Sequence, residues 1–273
     1  MSDVLGDPQG QTRSDAPRAS KRSEAPTPPP PPADRGGEPD QAHPDWWYDE
    51  FHQVGRNYGD VAEVDTYDET HARFRDLARE HASVLEWLAL EPQETLVDIG
   101  AGTGAFAVFA AARCRHVHVV DVSRPMLDAA RRRATRLGVG NLSFHHAGFL
   151  TLDLPPGSVD AVTSTFALHH LPDFWKGVAL GRTAACLGPG GRFHLCDVVL
   201  PAEEPLSAIR RFVEAQASRG GEELREDAAG HFRSEHSTSE WVMRGLLERA
   251  GLRVVREGTE DGVIRRYLCG KAG

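Results

Sequence analysis

Residues 96–104 read LVDIGAGTG, and this stretch decides the fold. A short apolar run, Leu96 to Ile99, ends in alternating glycines, which is the pattern of a buried strand opening into a tight turn. Gly100, Gly102 and Gly104 carry no side chains, so backbone there can approach a bound molecule closely. Asp98 falls at the carboxyl end of the strand, where open α/β sheets bind ligands. Its carboxylate suits a cationic or hydroxylated group.

Downstream the pattern alternates strand and helix. Ala105–Cys114 reads as an alanine-rich helix and Val117–Asp121 as a second strand. A helix follows from Ser123 to Leu137, with Ser123 as its cap, Pro125 in its first turn and Gly138 just past its end. Leu142–His146 is a third strand, Val159–Thr165 a fourth, Phe174–Leu187 a helix, and GPGG a turn before a fifth strand, Arg192–Asp197. This alternation predicts an α/β fold: a Rossmann-like, mostly parallel sheet with helices on both faces. From Leu200 to His236 there is no strand signal, so a helix and loops are expected over the sheet. Ser237-Thr-Ser-Glu240 fits a capping box for a last helix that Gly251 terminates. The final residues LRVVREGTEDGVIRRYLC form two apolar-rich strands around EDG, an antiparallel hairpin closing the parallel sheet.

Asp121 ends the second strand as Asp98 ends the first, and an acid there can accept both hydroxyls of a ribose. Either acid alone, or the glycines alone, admits a purely conformational reading. Two acids and three glycines, each following a predicted strand, point jointly to a ligand site.

The flanks bound the rest. Residues 1–45 are rich in Pro, Ser, Gly, Asp and Arg, with prolines 28 to 32 in a row, and predict a disordered, polyproline-like tail outside the fold. Residues 46–94 begin with the aromatics Trp46, Trp47, Tyr48 and Phe51, expected to anchor the first helix. Val61, Val64, Tyr67, Phe74, Leu77, Val84, Leu85 and Leu88 then recur at helical intervals. The tail carries eight acids against five bases, so −6 of the chain's net charge of −9 belongs to the remainder, which disfavours a nucleic-acid partner. The basic run Arg131–Arg136 covers both sides of a helix and reads as a solvated face. No stretch of about 20 apolar residues is present, so no membrane span is expected. Cys114, Cys186, Cys196 and Cys269 lie far apart without a C-x-x-C pair; buried thiols in a reducing cytoplasm are expected, and no metal site.

Taken together, VDIGAGTG (97–104), VVDVS with RPMLDAA (119–130), PPGSVDAVTSTFALHHLPD (155–173) and LGPGGRF (187–193) resemble the class I S-adenosylmethionine-dependent methyltransferases. The likeness is to their ubiquinone/menaquinone-methyltransferase-like branch and runs from about Tyr58 to Cys269. It implies an enzyme that uses S-adenosyl-L-methionine to methylate a small molecule on a core spanning residues 95–273. Gly100, Gly102 and Gly104 then line the methionine part, with Asp98 near its ammonium group. Asp121 holds the ribose, Val122 packs on adenine, and Ala147-Gly148-Phe149 offers backbone N–H groups to that ring. Thr165 and Phe166 lie along the cofactor, and a helix bearing Tyr58 and Tyr67 forms part of a lid over the site. Many relatives place an acid at the position of Gly148; here adenine is left to backbone groups or another side chain.

Methyl transfer to a phenol, amine or acidic carbon needs a base. His169 is the first choice, because its loop follows the fourth strand beside the proposed cofactor; His170, Asp197 and His231 are the alternatives. His231, Arg233 and Glu235 are expected to shape an acceptor pocket. Two rival readings stand. Gly100, Gly102 and Ala105 satisfy the G-x-G-x-x-G/A of NAD(P)-dependent oxidoreductases, and Tyr267 with Lys271 forms Y-x-x-x-K, although on a predicted strand. A non-catalytic binder of S-adenosylmethionine fits the same motifs.

Overall fold

In the computed structural model, the structure describes residues 44–52, 64, 68 and 76–272. Most of the tail, and Tyr58, Tyr67 and Phe74 of the helical segment, lie outside the described residues. Helix α1 (Leu77–Leu88) leads into β1 (Thr95–Ile99), α2 (Ala105–Ala110), β2 (His116–Asp121), α3 (Arg124–Leu137), β3 (Leu142–His146) and β4 (Val159–Thr165). A single 3₁₀ turn (Leu168–His170) precedes α4 (Asp173–Cys186) and β5 (Leu187–Leu200). Then come α5 (Pro205–Ser234), β6 (Thr238–Ser239), α6 (Glu240–Arg249), β7 (Leu252–Glu260) and β8 (Ile264–Lys271).

The strands form one sheet in the order β3-β2-β1-β4-β5-β8-β7, with the two-residue β6 alongside β5. Strands β1 to β5 are parallel; β8 runs antiparallel to both β5 and β7. This is the Rossmann-like sheet with a terminal antiparallel hairpin that the alternation predicts. The period of two along each strand sorts the core into two layers. Leu96, Val117, Val119 and Ala161 pack with Leu88 of α1, Ala107 of α2 and Leu127 of α3 on one face. Val97, Ile99, Val120, Val162 and Phe193 pack with Leu180 of α4 and Met243 and Leu247 of α6 on the other. Each fully buried Val, Leu, Ile, Phe or Met among them contributes about 1.5–3 kcal/mol.

Local chemistry sets the helix ends. The Ser123 hydroxyl accepts from Met126 N–H at 3.3 Å, Pro125 sits in the first turn, and Gly138 closes α3 in the left-handed conformation at φ 67°. Asp76 caps α1 by accepting from Arg79 N–H. At its other end Arg192, reaching back from β5, donates to Leu88 O and Ala89 O while forming a two-pronged pair with Glu94.

Four expectations change. The GPGG segment does not turn the chain out of the sheet: Leu187 already pairs with Val159, a register shift follows, and β5 runs through it, so Asp197 lies inside the strand instead of ending it. The capping box is not formed, because Thr238 and Ser239 pair with β5, α6 opens only at Glu240, and the Ser237 hydroxyl bonds to His231 Nε2 at 2.6 Å. The segment after β5 is almost entirely helical, broken at Gly220 and Gly221 where φ is −144° and 69°. Arg133 does not belong to a solvated face; it donates to Thr103 O at 2.6 Å and pairs with Asp68. Among the described residues no helix is long and apolar enough to cross a membrane.

One buried cation fastens the sheet's carboxyl edge. Lys176, 1% exposed, donates from Nζ to Leu171 O at 2.6 Å, to Asp173 Oδ1 at 2.9 Å and to His236 O, so it ties the turn after β4 to the segment before β6. Lys176→Met keeps the volume but strands two buried carbonyls, each costing about 1–3 kcal/mol. Thermal unfolding followed by circular dichroism is expected to show Tm lowered by roughly 5–10 °C.

Candidate functional site

The parallel strands deliver their carboxyl ends to one edge, and the principal pocket opens there. Asp98, Gly100, Gly102, Asp121, Val122, Gly148, Phe149, Thr165 and Phe166 all line it, as does His170. Gly104, one residue beyond the lining Thr103, heads α2 as its cap and supports the loop from behind. Tyr58 lies outside the described residues.

Geometry explains the residue types. Gly100 has φ 75°, and a Cβ there would stand 2.3 Å from Ala167 Cβ, so the loop after β1 and the loop after β4 touch only because this position has no side chain. Gly100 and Ala101 N–H both donate to Val120 O, which binds the loop to the end of β2. Asp121 fixes the loop from the other side: Oδ2 accepts from Gly102 N–H and Oδ1 from Ser123 N–H, both at 2.8 Å. Phe166 adopts φ 54°, uncommon for a bulky residue, and its N–H donates to Cys196 O at 2.9 Å. That backbone costs roughly 1–2 kcal/mol and aims the chain along the pocket wall.

Both acids are nearly inaccessible, at 5% and 7% exposure for Asp98 and Asp121. Burial, and the Asp121 charge beside it, push the Asp98 carboxyl up to about 7. Burial raises Asp121 to about 6 although the two N–H bonds work against it. The site therefore holds two carboxyls whose ionisation is disfavoured until a positive charge joins them, the electrostatic complement of a cationic ligand.

Glu50 is a site residue that sequence reasoning missed. Its carboxylate reaches the loop after β3, where both oxygens accept from Leu150 N–H at 2.9 and 3.0 Å and Oε1 from the Thr151 hydroxyl at 2.7 Å. It fills the room that Gly148 leaves: a Cβ on Gly148 would lie 2.3 Å from Glu50 Oε2. No local signal marks Glu50, since its partners lie a hundred residues on. The neighbouring aromatics do anchor their segment: Trp47 packs edge-on against Trp175 with ring centroids 4.9 Å apart, and Tyr48 OH donates to His170 O at 3.2 Å. A second clamp holds Asp68 over the glycine loop through the Thr103 hydroxyl and Arg133.

The expected base is placed differently. His169 does not line the pocket. Its Nδ1 is 2.5 Å from Asp197 Oδ1, its Nε2 is 3.1 Å from Glu235 Oε2, and its backbone N–H donates to Asp197 Oδ2. Burial pulls its pKa down, but Asp197 and Glu235 outweigh that and raise it to about 9. An imidazolium donating from both nitrogens has no lone pair for a substrate proton. His170, the pocket-lining neighbour, is lowered to about 4, first by burial and then by His169. His231 and Glu235 do join this group, His231 Nδ1 meeting the same Glu235 oxygen. Arg233 does not: it faces outward, paired with Glu226. Tyr267 is fully buried in the core, and Lys271 donates to Leu187 O, so Y-x-x-x-K is a feature of sheet packing.

Residues 96–191 match the family model described as a methyltransferase domain. An uncharacterized methyltransferase of Geobacillus thermodenitrificans is 29% identical over 206 residues, which cover 76% of this chain and 88% of the relative. Among solved structures, an S-adenosylmethionine-dependent methyltransferase from Aquifex aeolicus superposes with a TM-score of 0.56 at 19% identity, covering 78% of this chain and 99% of that one. The Burkholderia thailandensis 1,6-didemethyltoxoflavin-N1-methyltransferase, bound to 1,6-didemethyltoxoflavin and S-adenosylhomocysteine, gives a TM-score of 0.55 at 18% identity and covers 78% of this chain and 85% of that one. Sequence match and sheet order agree: residues 96–191 resemble a methyltransferase domain, and the fold is shared with solved methyltransferase structures.

Gly100→Ala confronts both the left-handed backbone and the Ala167 contact. It is expected to destabilise the chain by about 2–4 kcal/mol, combining strain and overpacking. Urea unfolding checks this, with the midpoint falling and the slope retained.

Proposed function

We propose that this chain is an enzyme that binds S-adenosylmethionine in the pocket at the carboxyl edge of the sheet and transfers its methyl group to a small-molecule acceptor. One observation carries the reading: two buried, mutually repelling carboxylates end adjacent parallel strands around a glycine loop. That arrangement suits a ligand with a positive charge at one point and a nucleoside diol at another. The ubiquinone/menaquinone-like branch remains supported by the quoted motifs.

Each residue then has a physical task. Asp98 meets the ammonium of the methionyl moiety while Gly100, Gly102 and Gly104 admit its backbone. Asp121 spends one lone pair per oxygen on the loop and keeps the others for the ribose hydroxyls. Val122 and Met126 offer apolar surface to adenine, and Gly148 and Phe149 offer backbone to its edge. Glu50 supplies the carboxylate that Gly148 lacks, placed to accept from the adenine amino group. Thr165 and Phe166 flank the methyl-bearing end. The bound sulfonium supplies an electrophilic methyl with a neutral thioether leaving group; the protein's part is to align the acceptor and exclude water.

The pH dependence has two opposed signs. Both acids hold protons more tightly in the folded chain than at their ordinary value of 3.8, so the folded state binds more protons between that value and about 7. Their contribution to stability therefore falls as pH rises through this window. Binding a cation requires them ionised, so affinity climbs over the same range. Calorimetry with S-adenosylmethionine is expected to show about tenfold weaker binding at pH 6 than at pH 8, with Asp98→Asn removing most of the difference. Tighter binding of NAD than of S-adenosylmethionine would favour an oxidoreductase. Incubation with labelled cofactor and a cell extract tests transfer itself: tight binding with no labelled product would favour a non-catalytic binder.

A further inference from the structure

Behind the pocket wall lies a cluster that the methyl-transfer reading leaves without a task. His169 and His170 come from the turn after β4, Glu235 and His231 from the end of α5, and Asp197 from within β5. We infer that His169, His170 and Glu235 form a binding site for a first-row divalent metal ion, Zn²⁺ being the natural probe, with Asp197 as the outer carboxylate that orients His169.

The geometry supports this at three levels. Ligand atoms of His169, His170 and Glu235 all lie within 4.8 Å of one another. Two ligands each about 2.0–2.1 Å from a tetrahedral Zn²⁺ stand roughly 3.3 Å apart. The 3.1 Å between His169 Nε2 and Glu235 Oε2 is close to that spacing. The same gap suits a shared proton in the metal-free chain and a shared cation in the loaded one. Beyond the ligands, Asp197 Oδ1 sits 2.5 Å from His169 Nδ1, which leaves Nε2 as the coordinating atom and makes the ring a stronger donor.

The scaffold holds the two ligand-bearing segments together independently of these side chains. His236 N–H donates to His169 O at 2.9 Å, and Lys176 binds both Leu171 O and His236 O. The donors therefore converge because the backbone around them is fixed, which is what a site of defined geometry requires. Two imidazoles and one carboxylate are a borderline set, suited to Zn²⁺, Fe²⁺ or Co²⁺ more than to Mg²⁺ or Ca²⁺. Three protein ligands leave a coordination position open. His170 also lines the pocket, so this position adjoins the methyl-bearing region. There a metal would hold an acceptor hydroxyl, thiol or carboxylate as its anion, the task for which neither histidine is suited as a free base. This last step rests on the methyl-transfer reading; occupancy of the site does not.

The test uses the full chain, untagged and stripped with chelator. Calorimetric titration with Zn²⁺ is expected to show one saturating equivalent. Co²⁺ is expected to give visible d–d absorption of a nitrogen- and oxygen-ligated ion. Glu235→Gln and His170→Ala should each weaken Zn²⁺ by about 100-fold, and Asp197→Asn by about 10–100-fold through its outer role. Circular dichroism on the His170→Ala variant separates lost binding from lost folding. Absence of stoichiometric Zn²⁺ and Co²⁺ binding by the parent chain overturns the inference, as does undiminished binding by a folded His170→Ala variant. S-adenosylmethionine calorimetry on the same samples keeps the two ideas apart: metal without the sulfonium sinks the methyl-transfer reading alone, and the reverse sinks only the metal site.

Discussion

Two carboxylates forced into one poorly solvated corner govern this molecule. Asp98 and Asp121 end neighbouring strands whose pairing places Asp98 beside Val119 and Ile99 beside Val120, so their proximity follows from the register of the sheet. Hydrogen bonds from Gly102 and Ser123 relieve Asp121 in part, and Asp98 is left with burial and repulsion. A fold optimised only for stability would hold apolar residues here. The corner is tolerated because the surrounding strands, packed on both faces, over-determine the backbone that carries it.

The other components of the site answer to that corner. The loop after β1 can bend back over the acids only because the loop after β4 leaves room for it at Ala167. The same loop after β4 carries the strained Phe166 and then the histidine pair, so backbone strain, pocket wall and buried polar cluster follow one another within five residues. Glu50 and Asp68, both from the segment preceding the sheet, meet the loops after β3 and β1 respectively. Negative charge thus arrives at the pocket from the sheet and from the segment preceding it, in keeping with the net charge of −6 on residues 46–273.

What the sequence made legible is what depends on short-range chemistry. β1 and its glycines, the Ser123 cap, the Gly138 terminator and the Asp261–Gly262 turn are all determined by residues a few positions apart, and all are found where expected. Glu50 was invisible because its meaning depends on a cavity at Gly148, and no pattern records an empty space a hundred residues away. The surroundings of His169 are not legible in the sequence: the carboxylates that flank it come from β5 and the end of α5, and only tertiary structure brings them in. The capping box failed because strand pairing at Thr238 competes with helix initiation for the same backbone, a tertiary preference that local propensity does not contain.

The placement of β8 has a consequence for how the chain acquires its shape. Strand β8, Ile264–Lys271, is not an edge; it is inserted between β5 and β7, and it holds Tyr267 and Cys269 in the middle of the core. Until β8 enters, β5 and β7 have an unfilled slot between them, both exposing unpaired backbone to whatever is near. The chain cannot complete its sheet by adding strands in sequence order, and depends on an intercalation of β8 that converts two open borders into one continuous ladder.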